Sequence, residues 1–412
     1  MEIKNRIDIN DEQKLIQLLQ IDYLQRKKHL NNLITLFKNV SDPIVVGIDG
    51  EWGTGKTIFL KQFEILVNNK EEIESASFPI LKEFKTNNTV FYFNSWENDM
   101  YDNPLQSLLF NLAKKYENDL NRKNYDIRNL LKYGKPIFNI GLKVVSKGVL
   151  ESDDLKVGHE DNTQLLDSIL TVEEIRKEID KFLNIITKEK KLIIIVDELD
   201  RCKPTFAIEL LEVIKHYFLH NSVHFILCSN KSELTHTVKR YYGQDFNGYE
   251  YLDRFFDFEY NLPTPNRIDY AKNVLGTDKD NYFYISHMVI DYFKLSLRQI
   301  NKYILNTEII LNSGILNSWN NKHERLLFLF YISGLIIKDR EAAKKFIDGK
   351  GFENFTPFYS ENSAQINRLV SSNGESTIPK LEKIYNSIFN YKQENTPSYE
   401  LTNFLEFLSS IS

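Results

Sequence analysis

The chain has 412 residues, 42% of them hydrophobic and 13% aromatic, which is enough for roughly two or three packed units with real cores. Its 52 basic and 57 acidic side chains leave a formal charge of −5, so global charge does not steer it toward nucleic acid, although a local basic patch is compatible with that balance. The 16 glycines and 10 prolines argue against long disordered linkers, and the two cysteines, Cys202 and Cys228, give no disulfide framework and no metal-like spacing.

The segment Met1-Glu2-Ile3-Lys4-Asn5-Arg6 lacks the apolar stretch of a signal peptide, and with the sparse cysteines this leads to the expectation of a cytoplasmic protein. From Asp11 to Phe37, Leu15, Leu18, Leu19, Tyr23 and Leu24, then Leu30, Leu33, Ile34 and Phe37, recur at helical spacing and predict two helices. The run Arg26-Lys27-Lys28-His29 within them reads as a solvated face rather than a nucleic-acid contact. Ile44 to Ile48 predicts a first buried strand, followed by a helix to about Asn68. Thr89 to Asn94 predicts a second strand, and Pro104 to Tyr116 a helix. The pattern then weakens, and stretches such as Glu151-Ser152-Asp153-Asp154 suggest a surface insertion over about 117–170. Within it, Pro136 to Leu150 carries Lys143 and Lys147 and is too short to span a bilayer, which leaves an amphipathic surface segment as its only membrane role.

A helix over Thr171–Thr187 precedes the strand Leu192-Ile193-Ile194-Ile195-Val196. Pro204 suits the first turn of a helix over Thr205–Leu219, and Val223 to Cys228 predicts a fourth strand. Beyond about Tyr270 strand signals fade. Leu297 to Leu305 and Leu326 to Ile337 read as buried helices, the latter too short for a membrane, so no transmembrane span is expected.

The chemistry sits at strand ends. Gly50-Glu51-Trp52-Gly53-Thr54-Gly55-Lys56-Thr57 follows the first strand and opens a helix, which is the Walker A or P-loop pattern in the setting it requires. Gly50, Gly53 and Gly55 let the backbone curl with its N–H groups inward, and with the helix start they make an anion site for phosphates. The whole segment from Gly50 to Ile58 is therefore the expected nucleotide-binding element. Lys56 is expected to reach the β- and γ-phosphates, and the Thr57 hydroxyl to ligate Mg2+. Asp197, at the carboxyl end of the Leu192–Val196 strand, is expected to hold Mg2+ directly or through water. Glu198 is the candidate general base. Asp200 reads as a partner for Arg201, as a partner for a neighbouring protomer's cation, or as a helix-start carboxylate.

Four further residues are candidates. Asn230 closes the fourth strand, where a polar side chain can orient the lytic water or sense the γ-phosphate. Its context, Asn230-Lys231-Ser232-Glu233, also touches the Asn-Lys-x-Asp guanine signature, but Asp197 is not followed by the Asp-x-x-Gly pattern, so ATP is favoured over GTP. Asn94 ends the second strand and would restrain Glu198, or else simply forms a turn. Arg254 and Arg298 are each read as a stabiliser of transition-state charge, the first in its own site or a neighbour's, or as a surface salt-bridge residue. His224 reads as a satisfied core histidine, and both cysteines as small core hydrophobes.

The segments Gly47-Ile48-Asp49-Gly50-Glu51-Trp52-Gly53-Thr54-Gly55-Lys56-Thr57, Phe93-Asn94-Ser95-Trp96, Asp197-Glu198-Leu199-Asp200-Arg201-Cys202 and Leu297-Arg298-Gln299-Ile300-Asn301-Lys302-Tyr303 together resemble the KAP family of P-loop NTPases over about residues 20–310. The resemblance implies an additional-strand, AAA+-like ATPase core with a helical lid. Many members carry transmembrane helices between the two Walker motifs, whereas this insertion has no span. The association of bacterial members with mobile elements and phage exclusion implies a setting in antiviral defence.

The alternation of elements predicts an α/β fold: a doubly wound, mainly parallel P-loop sheet with a helical lid and a helical C-terminal region. The expected divisions are N-terminal helices over 1–40, the NTPase core over 41–270, and lid with C-terminal domain over 271–412. The expected function is Mg2+-dependent ATP hydrolysis driving a conformational or assembly switch, with self-association and a protein partner met through the C-terminal helices. The alternative is a nucleic-acid-stimulated motor, favoured by the 28 Phe and 22 Tyr as stacking residues and opposed by the acidic balance. A kinase ranks third, because Glu198 beside Asp197 suits water as the acceptor.

Overall fold

Five parallel strands build one sheet in the computed structural model, which describes residues 10–22, 24–69, 77–101, 103–126, 159–218, 220–275, 281–312, 322–370, 377–390 and 397–411. They are β1 (Val45–Asp49), β2 (Asn88–Asn94), β3 (Lys191–Asp197), β4 (Val223–Ser229) and β5 (Phe258–Asn261), in the spatial order β2-β3-β4-β1-β5. β4 lies between β1 and β3, so it is the additional strand that separates the P-loop strand from the acidic one. The register sets Asn94 opposite Asp197 and Asp49 opposite Ser229, which brings the carboxyl ends of four strands to one edge. Open parallel sheets bind ligands at that edge.

β3 is an apolar run rather than an alternation because both of its faces are covered. Ile193 and Ile195 pack into one core, whereas Leu192, Ile194 and Val196 pack into another. The first core holds α1 (Glu12–Ile21), α2 (Lys27–Asn39), α3 (Lys56–Asn68) and α4 (Leu81–Asn87). The second holds α5 (Pro104–Lys115), α6 (Glu117–Arg122), α7 (His159–Ile186), α8 (Pro204–Tyr217), α9 (Lys231–Tyr242) and α10 (Gly248–Asp253). Helices on both faces make the sheet doubly wound, as the alternation predicts.

The remaining helices share a third core. They are α11 (Arg267–Leu275), α12 (Asn281–Tyr292), α13 (Leu297–Asn312), α14 (Lys322–Lys338), α15 (Arg340–Ile347), α16 (Phe352–Leu369), α17 (Thr377–Phe389) and α18 (Pro397–Ile411). α14 is the axis of this region: every residue from Leu326 to Ile336 is buried, as expected of a helix that is apolar all round. Gly334 lets α12 approach closely, since a methyl group there would sit 2.6 Å from the side chains of Val289 and Phe293.

Several elements differ from the sequence expectation: α4, α9 and α10 were not anticipated, and α6 is a helix packed on the core at the start of the expected surface insertion. α7 starts at His159, well before Thr171, and so runs back into the insertion. β5 was not anticipated; it is four residues long and mostly exposed, and it borders β1 alone. Tyr23, Pro136–Leu150 and Glu151–Asp154 lie outside the described residues. Among the described residues, no helix is long and apolar enough to cross a membrane.

Candidate active site

The P-loop is shaped by its glycines. Gly53 and Gly55 adopt φ of 79° and 86°, a left-handed conformation that costs other residues strain. The Thr54 hydroxyl donates to the Glu51 carbonyl at 2.9 Å, and Lys56 Nζ donates to the carbonyls of Gly50 and Glu51. α3 begins at Lys56 without a side-chain cap, so the N–H groups of its first turn remain directed at whatever lies before the helix.

A residue assigned to solvent on sequence grounds turns out to hold this loop. Arg26 is 2% exposed, not part of a solvated face. Its Nη2 donates to the Thr54 carbonyl and its Nη1 to the Pro263 carbonyl, each at 2.9 Å, and its guanidinium stands 5.9 Å from the Phe59 ring centre. Burial lowers its pKa to about 10, with Tyr260 and Asp22 opposing the shift. The neighbouring Lys28 is exposed, as the basic run predicts.

Asp197 is 1% exposed and rigidly oriented. Its Oδ1 accepts from the Glu198 N–H and its Oδ2 from the Tyr92 hydroxyl, both at 2.8 Å. The Ser95 N–H and hydroxyl both donate to the Asp197 carbonyl, which stitches the end of β2 to the end of β3. The Tyr92 phenol is pushed up by burial and by the Asp197 charge, so it stays a donor.

Glu198 takes φ 62° and ψ 27°, a left-handed conformation that costs a non-glycine residue about 1–3 kcal/mol. A 3-10 turn over Leu199–Arg201 follows and brings Arg201 back, so that its Nη1 meets Glu198 Oε1 at 2.6 Å. Burial raises the Glu198 carboxyl above the usual range and Asp197 and Asp200 add to this, while Arg201 and Arg298 pull it down. Asp200 is not the ion-pair partner of Arg201, which meets Glu198; its Oδ2 accepts from Trp52 Nε1 at 2.5 Å.

These groups converge on a cavity of about 240 Å³. Gly53, Gly55, Lys56 and Thr57 form its P-loop wall, and Asp197 and Glu198 its acidic end. Ile58 and Tyr270, with Leu297, Arg298 and Asn301 from the start of α13, close the rest. The lid sits directly on the loop, since a methyl group at Gly53 would come 3.0 Å from Ser296 Oγ. Ser296 and Gln299 cap α13 reciprocally, which fixes Arg298 beside the cavity. Trp52 and Arg298 also border an adjoining cavity of about 340 Å³, where Arg267 and Lys338 face one another and burial and mutual repulsion lower the Lys338 pKa.

The other candidates lie elsewhere. The Asn94 side chain accepts from the N–H groups of Trp96 and Glu97, so it caps a turn, and the group that contacts Glu198 is Arg201. Asn230 caps α9 by accepting from the Glu233 N–H. Arg254 is exposed beside Glu250 at 3.9 Å. None of these three lines the cavity. His224 is fully buried; its Nδ1 accepts from the Ile44 N–H at 3.3 Å, but its Nε2 has no protein partner, so it is only half satisfied.

Sequence reasoning missed Arg26, Arg201, Tyr270 and Asn301 as parts of the site. Asn301 carried a usable signal, because it stands one helical turn after Arg298 and so shares its face. The Tyr270 hydroxyl donates to Asn301 Oδ1 at 2.7 Å, holding the amide in place. The donor set suits an anionic nucleotide with a hard divalent ion: backbone N–H groups, Lys56 and Arg298 for phosphate, and the Thr57 hydroxyl and the Asp197 carboxylate as hard oxygens.

No curated relative matches the chain. The KAP family P-loop domain matches residues 26–307, from the buried arginine to the lid helix. That match covers more than half of the chain and takes in every group lining the cavity, so the protein belongs to the KAP family of P-loop domains.

Proposed function

We propose that the chain hydrolyses ATP with Mg2+ and uses the nucleotide state to reposition its helical region. The observation that carries this reading is the meeting of three elements at one cavity: the P-loop, the Asp197–Glu198 strand end, and the lid helix α13. Bound Mg2+ would supply charge neutralisation at the phosphates, held by Thr57 and Asp197. Lys56 and the P-loop N–H groups bind the phosphate chain. Glu198 accepts the proton of the attacking water. Arg298 offers positive charge from the lid to the transferred phosphoryl group.

The switch follows from core continuity. Leu297 and Ile300 of the lid belong to the same core as Phe328 of α14, Phe346 of α15 and Leu405 of α18. A lid that tightens on one nucleotide state therefore carries the C-terminal helices with it, and with them a surface for self-association or a protein partner. Arg254, exposed and outside its own cavity, is suited to serve a neighbouring protomer's site. The guanine alternative loses support, because Asn230 caps a helix and Lys231 pairs with Glu259.

The test is ATPase rate with light-scattering size in ATP, ADP or no nucleotide, for wild type, Lys56→Ala and Glu198→Gln. Slow hydrolysis with a larger species in ATP that reverts in ADP supports the reading. Constant size with turnover only in the presence of nucleic acid replaces it with the motor.

A further inference from the structure

We infer that Arg201 is a positioning residue for hydrolysis: seated on Trp96, it fixes the carboxylate of Glu198 for the attacking water. This rests on the reading of Glu198 as the general base.

The geometry forms a short relay. The Arg201–Glu198 pair closes at 2.6 Å, with the side chains 23% and 13% exposed, so both partners are mostly withdrawn from solvent. An ion pair between enclosed partners is less screened by solvent than a surface pair, so it holds the two side chains together more firmly. The contact is made at Oε1, and Glu198 lines the cavity. The guanidinium carbon also lies over the Trp96 ring, 5.5 Å from its centre. Trp96 is held in turn by its own N–H, which donates to Asn94 Oδ1 at 3.1 Å. A second contact grips the same turn, because Asp200 accepts from Trp52 of the P-loop.

Backbone and side chain thus fix Glu198 separately. Its left-handed φ sets the direction in which the side chain leaves the strand. Arg201 then sets the orientation of the carboxylate plane. An acid residue on a strand end without that cation would keep several rotamers, only some of which face a water in line with the phosphate. The role assigned to Asn94 from sequence is therefore indirect: it holds the turn that carries Trp96, two contacts away from Glu198.

The experiment compares wild type, Arg201→Gln, Arg201→Lys, Glu198→Gln and the Glu198→Gln/Arg201→Gln double variant, with Trp96→Phe and Trp96→Ala as a second route to the same pair. Arg201→Gln is expected to lower kcat roughly 10- to 100-fold with the ATP KM within about twofold of wild type. Arg201→Lys recovers part of the loss by restoring the charge without the fork. Trp96→Phe keeps kcat near wild type, and Trp96→Ala lowers it. The double variant hydrolyses at the rate of Glu198→Gln alone, because Arg201 acts only through Glu198. If Arg201→Gln costs the same factor in the Glu198→Gln background as in wild type, Arg201 acts on the phosphates directly and the relay is wrong. If Glu198→Gln hydrolyses like wild type, the base assignment fails whatever Arg201 does.

Discussion

β3 and α14 are both deeply enclosed elements, one in each region, and they are put to opposite uses. Both are apolar on all sides and both sit at the centre of a core. β3 ends abruptly in Asp197 and Glu198, so its burial serves to hold two carboxylates at a sheet edge. α14 ends in Lys338, a single cation bordering the adjoining cavity beside Trp52 and Arg298, and its burial serves to bind α12, α13 and α15 into one body. Enclosure by itself therefore says little about function. What distinguishes the two is the polar residue that the buried segment delivers, and where it delivers it.

The sharpest way to separate the regions is to remove chemistry from one while leaving the other intact. Glu198→Gln should lower kcat by about 10²- to 10⁴-fold with nucleotide binding retained, and Lys56→Ala should abolish binding, each measured by phosphate release and by calorimetric titration with ATP. Neither change should alter thermal unfolding without nucleotide by more than about 1 kcal/mol.

A smaller effect reports on the sheet alone. Burial and the Lys191 charge depress the His224 pKa from 6.5 to about 4. The unfolded chain then takes up the proton first, so the stability contributed by neutral His224 is complete above about pH 6.5 and is lost as the pH falls toward 4. Relative to His224→Gln, wild type should lose about 2 kcal/mol between pH 7.5 and pH 5 in denaturant titrations. Equal pH dependence for the two proteins would place the histidine outside the titrating core.

The helical region is best tested at its tightest crossing. Gly334→Leu forces α12 and α14 apart and should destabilise by about 1–3 kcal/mol, lowering the melting temperature while ATP still binds. Loss of ATP binding in parallel would show that the two regions are one cooperative unit. The mildest change is Asp339→Ala, which removes the cap that accepts from the Ala342 N–H at 2.9 Å and should cost about 1 kcal/mol by denaturant unfolding.

The same contrast explains what the sequence made legible. The P-loop and β3 could be read because each couples a long apolar run to charged residues at fixed spacing, and α14 because its run exceeds strand length. β5 could not, since Phe258, Glu259, Tyr260 and Asn261 show no apolar run and gain their strand form only by pairing with β1. Arg26 could not, because it sits in a basic run and its acceptors are Thr54 and Pro263, remote in sequence. Asn94 was read either as restraining Glu198, because strand order places it near, or as forming a turn; the side chain turns to its own backbone neighbours, which local hydrogen bonding favours in Asn. Arg201 was read only as a motif residue and as a candidate partner for Asp200. Its role depends on the 3-10 turn that folds it back, and that turn follows from the left-handed backbone of Glu198.

Arg26 has a practical consequence for dividing this protein. A fusion junction or truncation point chosen at the first strand, the usual landmark for a P-loop module, would cut between the phosphate-binding loop and the guanidinium that anchors it. The loop would then keep all of its own residues yet lose the tether between the Thr54 and Pro263 carbonyls. The shortest segment expected to bind nucleotide on its own thus begins upstream of residue 26, and a library of amino-terminal deletions should show affinity falling there rather than at Val45.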